Sequence, residues 1–414
     1  MIEVADVFRQ FGGAYLDAFG GSMLPSHRDV INDVIRCRTE VMGGHLYQCD
    51  TCDHPIYSYH SCKNRHCPKC HAEQTRRWQE QRQDELLPVP YFHVTITVPE
   101  SLHPLFRSNQ NDLYSLFMKT CAEAILELAR DPRHIGGLVG ILMVLHTWNQ
   151  QLLIHPHVHC LVPGGGVADD GTWHPAPNGF LFPVQALSIL VRGKFMSALK
   201  RLRPDLDLPE SAWQQQWVSQ CTPWGVGEKA VLEYLARYVF RIAITNSRIV
   251  AMDENSVSFR YNDRKKRRWR TCQVPGMEFM RRFLQHVLPQ GFHKVRYYGL
   301  WNPQNRPLAH RVRLGLLYGT SIIHESTTFC PVHSRKLYSC QKGGTRGTLP
   351  PLRSGQAHPC PDHSSPSFQI PLTIGEGGKI TLKCKTLMFH RQGDGRLLPH
   401  PGVGSIPTVK QASK

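Results

Sequence analysis

The stretch GILMVLHTWNQQLLIHPHVHCLV, residues 140–162, gives the strongest indication of how this chain folds. Its two apolar runs, 140–148 and 152–162, are separated by only three polar residues. Apolar runs of this length joined by a short polar turn predict an antiparallel β-hairpin. The run YFHVTITV at 91–98 is rich in β-branched and aromatic residues and predicts a further strand. An antiparallel sheet is therefore expected at the centre of the chain.

Helical and strand patterns surround this centre. Apolar residues at spacings of three and four predict helices at 4–19, 112–130, 182–202 and 228–240, and the run AEQTRRWQEQRQDELL predicts another at 72–87. Alternating residues predict strands at 248–261 and 267–273, on either side of a basic run. The expected class is α+β, with an antiparallel sheet flanked by helices.

Three histidines alternate along the second run of the hairpin. Because successive side chains of a strand point to opposite faces, His155, His157 and His159 leave the same face. Unpaired imidazoles inside an apolar hairpin would be costly, so the pattern favours a metal-ligand set over histidines of the core. His157 and His159 form the tightest candidate pair.

The third ligand and the identity of the metal stay open at this point. A turn centred near Gln150 would place His146 beside His155, which makes His146 a candidate; His155 itself and His93 on the earlier strand are others. Two imidazoles with an open remainder of the coordination sphere suit Mg²⁺ or Mn²⁺ that polarises a phosphate. The residue types equally admit Zn²⁺.

Two tyrosines lie four residues apart in the helix expected at 228–240. This spacing puts Tyr234 and Tyr238 on one helix face, where both phenols could reach a single phosphate. The alternative is an aromatic face packed on the sheet. A phenol with a pKa near ~10 is only about 0.1% ionised at neutral pH, so a nucleophilic tyrosine needs a polarised electrophile or a base.

Six of the fourteen cysteines fall within residues 37–70. Two CxxC pairs separated by 14 residues predict a tetrahedral zinc site with the ligands Cys49, Cys52, Cys67 and Cys70. A second, interleaved zinc site could be completed by Cys37, His45, Cys62 and His66. Against this second site, Cys62 could belong to the core and His66 could contact phosphate. We expect zinc to stabilise this module independently of the rest of the chain.

The chain carries 49 Lys and Arg against 32 Asp and Glu, a net charge of +17, which predicts binding to nucleic acid. The basic residues expected to contact DNA are Arg65, Lys69, Arg76, Arg77, Arg237, Arg241, Lys265 and Arg267. For Arg237 and Arg241 a solvated helix face is the alternative. No run of 18 or more apolar residues and no export signal occur, so a cytoplasmic protein without membrane partners is expected.

Three segments are expected from these patterns. Residues 1–88 form an N-terminal helix and a zinc-binding DNA-binding module, and residues 89–318 form the domain that carries the histidines and tyrosines. Residues 319–414 are rich in Ser, Gly, Pro and Thr and predict a loosely folded tail.

Six stretches occur in order over about residues 30 to 318: YHSCKNRHCPKCHAEQTRRW, LLPVPYFHVTITVP, LHTWNQQLLIHPHVHCLVPGGGV, VRGKFMSALK, EYLARYVFRIAITNSRI and RRFLQHVLPQGFHKVRYYGL. Together they resemble the rolling-circle insertion-sequence transposases. These are two-tyrosine members of the HUH endonucleases and carry an N-terminal transposase zinc-binding domain. The ending of this family does not align with residues after 322.

The resemblance implies an HUH-type sheet that cleaves and joins single-stranded DNA at transposon ends and targets, near the bacterial nucleoid. It makes His157 and His159 ligands of a catalytic Mg²⁺ or Mn²⁺, and Tyr234 and Tyr238 the nucleophiles that form a 5′-phosphotyrosine. Zinc would be structural. A replication initiator or relaxase would share this chemistry. A non-catalytic zinc-dependent DNA-binding protein is the rival from another class.

Overall fold

The computed structural model describes residues 2–49, 55–70, 75–76, 80, 85–226, 231, 238–239, 241–263, 266–319, 384–391 and 397–399. The helices in this part of the chain are α1 (Val4–Phe19), α2 (Pro25–Arg36), α3 (His103–Ser108), α4 (Gln110–Arg130), α5 (Val184–Leu202), α6 (Glu210–Gln214), α7 (Gly276–Leu284) and α8 (Arg306–Tyr318). Among them, none has the length and apolar character that a membrane crossing requires.

The strands in the described residues are β1 (Gly44–Cys49), β2 (Pro55–Tyr59), β3 (Pro90–Thr97), β4 (Gly140–Trp148), β5 (Ile154–Pro163), β6 (Gly165–Val167), β7 (Trp173–Pro175), β8 (Val218–Val226), β9 (Ile249–Met252), β10 (Ser256–Asp263), β11 (Arg268–Pro275), β12 (Val295–Gly299), β13 (Cys384–Arg391) and β14 (Leu397–Pro399). The central sheet has five strands in the order β12-β4-β5-β3-β8, and every neighbouring pair is antiparallel. The expected α+β class is confirmed.

Strand alternation gives the central sheet two different faces. On one face, apolar residues of β3, β4 and β5 are buried in a core completed by α4 and α5: Phe92, Val94, Ile96, Ile141, Met143, Leu145, Val158, Cys160 and Val162. On the other face, Leu142, Val144 and Leu161 belong to a separate apolar cluster with Val239 and with Val312 of α8. Residues two positions away from Leu142, Val144 or Leu161 along the same strand therefore also lie on the face away from α4 and α5.

The hairpin differs from expectation in its register. The predicted strand 140–148 matches β4, but β5 begins at Ile154, and His146 lies opposite His157 instead of His155. The register shifts between His146 and Trp148, and Leu152 has a positive φ of 61° in the connecting turn. The bulge moves the pairing by one residue, because the Trp148–Ile154 register would otherwise pair His146 with Pro156.

The N-terminal helices pack on the strands β9, β10 and β11 and on α7. Phe8 of α1 contacts Phe283 of α7 edge to face, with ring centroids 5.0 Å apart. Gly276, at the start of α7, lies so close to the Phe11 ring that an added Cβ would overlap it. One buried cluster therefore includes residues from the first 37 positions and from 243–287.

Two smaller sheets are formed by strands outside the central sheet and outside β9, β10 and β11. β2, β1, β13 and β14 form a four-stranded sheet in that order, and β6 pairs with β7. β13 and β14 come from the segment expected to be a loosely folded tail. The remaining residues after 319 lie outside the described part, as do most of the helices expected at 72–87 and 228–240.

Candidate functional site

Three histidines of the hairpin converge on the second face of the central sheet. His146 of β4 and His157 and His159 of β5 each offer one ring nitrogen, and these nitrogens lie within 4.8 Å of one another. The register explains the grouping, because His146 is directly opposite His157 and Val144 is opposite His159. We call this set the imidazole cluster.

Hydrogen bonds fix the ring orientations of two of these histidines. Nε2 of His146 lies 2.8 Å from the carbonyl oxygen of Tyr238 and can donate only to it, which leaves Nδ1 as the ligand atom. Nδ1 of His157 lies 2.7 Å from the carbonyl oxygen of His155, and donation to that carbonyl places the lone pair of the neutral ring on Nε2. Metal-binding histidines characteristically donate their other nitrogen in this way.

His159 is held from the neighbouring strand β3. Its Nδ1 lies 2.9 Å from Nε2 of His93, and the Thr95 hydroxyl lies 3.2 Å from the same His93 nitrogen. His93 therefore orients a ligand instead of joining the three-residue set. Thr95 was missed from the sequence, although it lies two residues after His93 and so on the same strand face.

Burial keeps these imidazoles neutral. The side chains of His146 and His159 are only 1% and 8% exposed, and burial lowers the pKa of both well below the ordinary value. Burial also lowers the pKa of His93 to about 4. A neutral imidazole is the form that binds a metal ion, so the ligands need no deprotonation near neutral pH.

Tyr238 lies against the imidazole cluster. Its ring centroid is 4.2 Å from that of His159, 5.0 Å from that of His93 and 6.1 Å from that of His146. Its carbonyl is the acceptor for His146, so backbone and ring both contact this site. Tyr234, the second predicted nucleophile, lies outside the described residues.

His155 is separate from the cluster. Its ring centroid lies 5.2 Å from that of His157 and 5.8 Å from that of His103, and it supplies a backbone acceptor to His157. The donor set of the cluster is thus three imidazoles, on one side of which lies a tyrosine. Such a set fits a divalent cation that keeps open coordination positions for a substrate oxygen.

Four cysteines converge in the N-terminal region. The sulfur atoms of Cys37, Cys62, Cys67 and Cys70 lie within 4.8 Å of one another, and Cys70 Sγ is 3.4 Å from Cys37 Sγ. Hydrogen bonds with Cys37, Cys62 and Cys67 lower the pKa of the Cys70 thiol, while hydrogen bonds with Cys37, Cys62 and Cys70 raise the pKa of the Cys67 thiol. Only a bound cation lets four such groups ionise together, and four thiolates fit tetrahedral zinc. We call this set the thiol cluster.

The local fold explains why Cys37 and Cys62 meet. Cys37 follows the last residue of α2, and its amide donates to the Asp33 carbonyl one turn earlier. The Asn64 side chain donates to the Asp33 carboxylate of α2. Lys63, which lies between Cys62 and Asn64, has a positive φ of 54° as part of a tight turn. The turn therefore holds Cys62 against the end of α2.

This grouping divides the eight predicted zinc ligands differently from the expectation. Cys67 and Cys70 join Cys37 and Cys62, whereas the expected partners, Cys52 and the side chain of Cys49, lie outside the described residues. The other two members of the predicted second set are not in the thiol cluster. His45 lies near His60, with ring centroids 5.1 Å apart, and the buried Nε2 atom of His66 has no hydrogen-bond partner among the residues that the structure describes.

Several basic residues expected to contact DNA have partners within the protein. Arg65 is half-buried and donates to the carbonyls of Leu288, Pro289 and Phe292, and Lys69 forms an ion pair with Glu3 at 2.7 Å. Arg65 therefore links the cysteine region to the segment before β12, and its expected contact with DNA stays a prediction. The sequence could not indicate acceptors more than 220 positions away.

The other predicted basic residues vary in position. Arg76 is exposed and pairs with Glu80, the backbone carbonyl of Arg241 accepts from Lys294, and Arg267 is exposed near the turn after β10. Arg77, Arg237 and Lys265 lie outside the described residues.

Comparisons with known proteins agree with these two regions. A family profile described as "Transposase zinc-binding domain" matches residues 7–98, and one described as "Putative transposase" matches residues 140–307. The first match contains the thiol cluster, and the second contains the imidazole cluster and Tyr238. No significant match to a solved structure was found.

Two curated relatives extend the similarity over most of the chain. "Putative transposase y4qJ" of Sinorhizobium fredii is 38% identical over 374 residues, covering 86% of this chain and 94% of the relative. "Transposase for insertion sequence element IS801" of Pseudomonas savastanoi pv. phaseolicola is 27% identical over 344 residues, covering 78% of this chain and 76% of the relative. The chain belongs to the IS91/IS801 family of insertion-sequence transposases, whose members act on DNA by rolling-circle transposition.

Proposed function

We propose that this transposase nicks and joins single-stranded DNA at transposon ends, with Tyr234 and Tyr238 as nucleophiles and a 5′-phosphotyrosine as intermediate. The observation that supports this most strongly is the position of Tyr238, whose ring lies 4.2 Å from that of His159 beside three converging imidazoles. A tyrosine that only packed on the sheet would not require a set of buried ligand atoms next to it.

The chemistry follows from what a phenol can do to a phosphodiester. The phenol gives up its proton and its oxygen forms a bond to phosphorus as the bond to the 3′ oxygen breaks, and the leaving 3′ oxygen takes up a proton. The phosphotyrosine bond conserves the energy of the cleaved bond. A 3′-OH of another strand can therefore reverse the step and join the strands without ATP. Two tyrosines would allow donor and target strands to be held at once.

The imidazole cluster would hold the catalytic Mg²⁺ or Mn²⁺. An ion bound by His146, His157 and His159 would withdraw charge from the scissile phosphate. Because imidazole nitrogens are softer ligands than carboxylate oxygens, this donor set favours Mn²⁺ over Mg²⁺. The hydrogen bond from His146 to the Tyr238 carbonyl ties the tyrosine backbone to the ligand set, so the nucleophile and the bound phosphate are positioned together.

The thiol cluster has a separate structural role in this proposal. Its four sulfur atoms complete a tetrahedral set and leave no position for substrate, which is typical of structural zinc. Zinc bound by Cys37, Cys62, Cys67 and Cys70 would stabilise the turn that carries Arg65. Arg65 in turn contacts the carbonyls that precede the strand next to β4.

The proposal is tested with labelled oligonucleotides carrying candidate terminal strands, offered single-stranded and as the matched duplex. In Mn²⁺ we expect a shortened strand and a covalent protein–DNA adduct from the single strand only, detected on a denaturing gel. Mild chelation that leaves the zinc in place should stop the reaction, and added Mn²⁺ should restore it. Equal cleavage of the duplex, or cleavage without adduct, would contradict the proposal.

A further inference from the structure

β10 and β11 are an antiparallel pair of the three-stranded sheet β11-β10-β9, which packs on the core shared with the N-terminal helices. We call these strands and the turn between them the basic ribbon. Its inner face is buried through Val257, Phe259 and Val274. The register places Arg260 opposite Thr271 and Asn262 opposite Trp269 on the other face. That outer face is therefore available to a partner without any loss of core packing.

Trp269 is the unusual residue of this face. It is 53% exposed, and the Arg260 guanidinium lies 5.3 Å from the centroid of its ring. A large aromatic side chain gains little stability for the fold from such a position. A flat ring next to a cation is, however, the arrangement on which unpaired nucleic-acid bases stack.

The end of the basic ribbon carries charge that the described residues do not neutralise. Lys266, Arg267 and Arg268 are exposed, and within the described part of the chain none of them forms an ion pair with a carboxylate. The Asp263 carboxylate, at the end of β10, forms an ion pair with Arg270 at 3.5 Å. Exposed cations beside an exposed tryptophan complement a strand of phosphates with accessible bases.

Arg248 attaches the basic ribbon to the strands that carry the histidines. Its Nε donates to the carbonyl of Arg260 at 2.7 Å, and its terminal nitrogen donates to the carbonyl of Gln150 in the turn between β4 and β5. Arg248 is half-buried, and its bonds connect the ribbon to the hairpin turn. A DNA strand bound along the ribbon would thus contact an element that is attached to the turn between β4 and β5, the two strands that carry the imidazole cluster.

We propose that the basic ribbon binds an unpaired stretch of DNA, with a base stacked on Trp269 and phosphates on Lys266 and Arg267 of the adjoining turn. This inference rests on the single-stranded substrate of the proposed function. Unpaired DNA is favoured over duplex because a duplex buries the faces of its bases and offers the ribbon only phosphates. For duplex binding the cations would suffice, and the exposure of Trp269 would have no use.

The test compares two probes with equal charge: a labelled single strand of thymidines and an abasic strand of the same length, titrated without added divalent ions. Trp269→Ala should weaken binding of the thymidine strand about five- to hundredfold and leave binding of the abasic strand unchanged. Trp269→Phe should retain most of the affinity. Trp213→Ala is the matched control, because Trp213 is also exposed, at 39%, but lies on α6. It should change neither affinity.

The charge component has its own signature. Arg267→Gln should weaken both probes to a similar extent and reduce the salt dependence of binding by about one phosphate contact. Equal loss on both probes in Trp269→Ala, or no loss on either, would overturn the base-stacking proposal. A duplex that binds as tightly as the thymidine strand and loses as much affinity in Trp269→Ala would do so too.

Adduct formation on a terminal strand is measured in parallel with the unsubstituted chain. If the unsubstituted chain forms the adduct but Trp269→Ala does not change the affinity for the thymidine strand, only the ribbon inference fails. If Trp269→Ala weakens binding of the thymidine strand as expected but the unsubstituted chain forms no adduct, only the proposed cleavage function fails. The two failures are therefore distinguishable.

Discussion

The thiol cluster and the imidazole cluster are both sets of buried metal-ligand atoms within 4.8 Å of one another, but the chain builds them in opposite ways. The thiol cluster uses the end of α2 and a tight turn, and it supplies the four ligands that tetrahedral zinc requires. The imidazole cluster uses two paired strands, supplies three ligands, and lies beside Tyr238. A closed set suits a structural ion, whereas an incomplete set next to a nucleophile suits an ion that contacts substrate.

The surroundings of the two clusters differ in the same sense. Cys37, Cys67 and Cys70 belong to a buried apolar cluster that also contains Leu152 and residues 243–287. The imidazoles are instead connected by hydrogen bonds to backbone carbonyls and to His93. Loss of the first site should therefore affect folding, and loss of the second should affect chemistry.

The largest effect is expected for Cys67→Ala. Because the thiol cluster lies inside a core shared with α7 and the basic ribbon, we expect zinc loss to unfold more than residues 37–70, in contrast to the independent unfolding that the sequence alone predicts. We expect the free energy of unfolding to fall by on the order of 5 kcal/mol or more, measured by denaturant titration with circular dichroism.

Cys272→Ala is the matched control for this substitution. Cys272 is partly buried against the same core but lies outside the thiol cluster, so its loss should cost only about 1 kcal/mol and no bound zinc. Full zinc content and unchanged stability in Cys67→Ala would remove Cys67 from the ligand set.

The next largest effect is expected for His157→Ala and concerns activity. Removal of one of three ligands should lower the rate of adduct formation at least about a thousandfold, with the free energy of unfolding within about 2 kcal/mol of the parent. Rates come from gel quantification, and Mn²⁺ affinity from calorimetry.

His155→Ala provides the comparison, since His155 lies on the same strand and face but outside the imidazole cluster. It should keep most of the rate, because only its backbone carbonyl orients His157. An equal loss in His155→Ala would mean that the ligand set is different. Unfolding of His157→Ala would favour a core role for the histidine.

The same contrast explains what the sequence could predict. Alternation along β5 was enough to place His157 and His159 on one face, and strand β4 matched its predicted bounds. The predicted cross-strand partner of His146, His155, was wrong, because His146 pairs with His157. A bulge and the positive φ of Leu152 shift the pairing, and apolar patterning does not reveal either.

Ligand grouping in the cysteine region was harder to predict for a physical reason. Spacing identifies local pairs such as Cys67 and Cys70, but the other two ligands depend on where a helix ends and how a turn returns to it. The contact from Asn64 to Asp33 holds that return in place. The carbonyls that Arg65 contacts also lie far away in the sequence, so its partners within the protein could not be predicted from spacing.

A smaller effect is expected from the residues that orient His159. His93→Phe keeps an aromatic ring beside Tyr238 but removes the nitrogen that contacts Nδ1 of His159, so Mn²⁺ affinity should fall about 10- to 100-fold. Thr95→Val should have a weaker effect in the same direction. Calorimetric titration measures both variants. A His93→Phe variant that binds Mn²⁺ as tightly as the parent would show that His93 only packs there.

The most direct measurement of the central claim is the identity of the residue bonded to DNA. Tyr234→Phe, Tyr238→Phe and the double variant are incubated with a labelled terminal strand in Mn²⁺, and the peptide that carries the 5′-linked nucleotide is mapped by mass spectrometry. Tyr318→Phe, at a residue 74% exposed on α8, is the control and should behave as the parent. We expect some adduct in each single variant, failure of complete transposition in both, and no adduct in the double variant. An adduct that persists in the double variant would place the nucleophile elsewhere, with Tyr261, Tyr297 and Tyr298 the next to test, and would contradict the account.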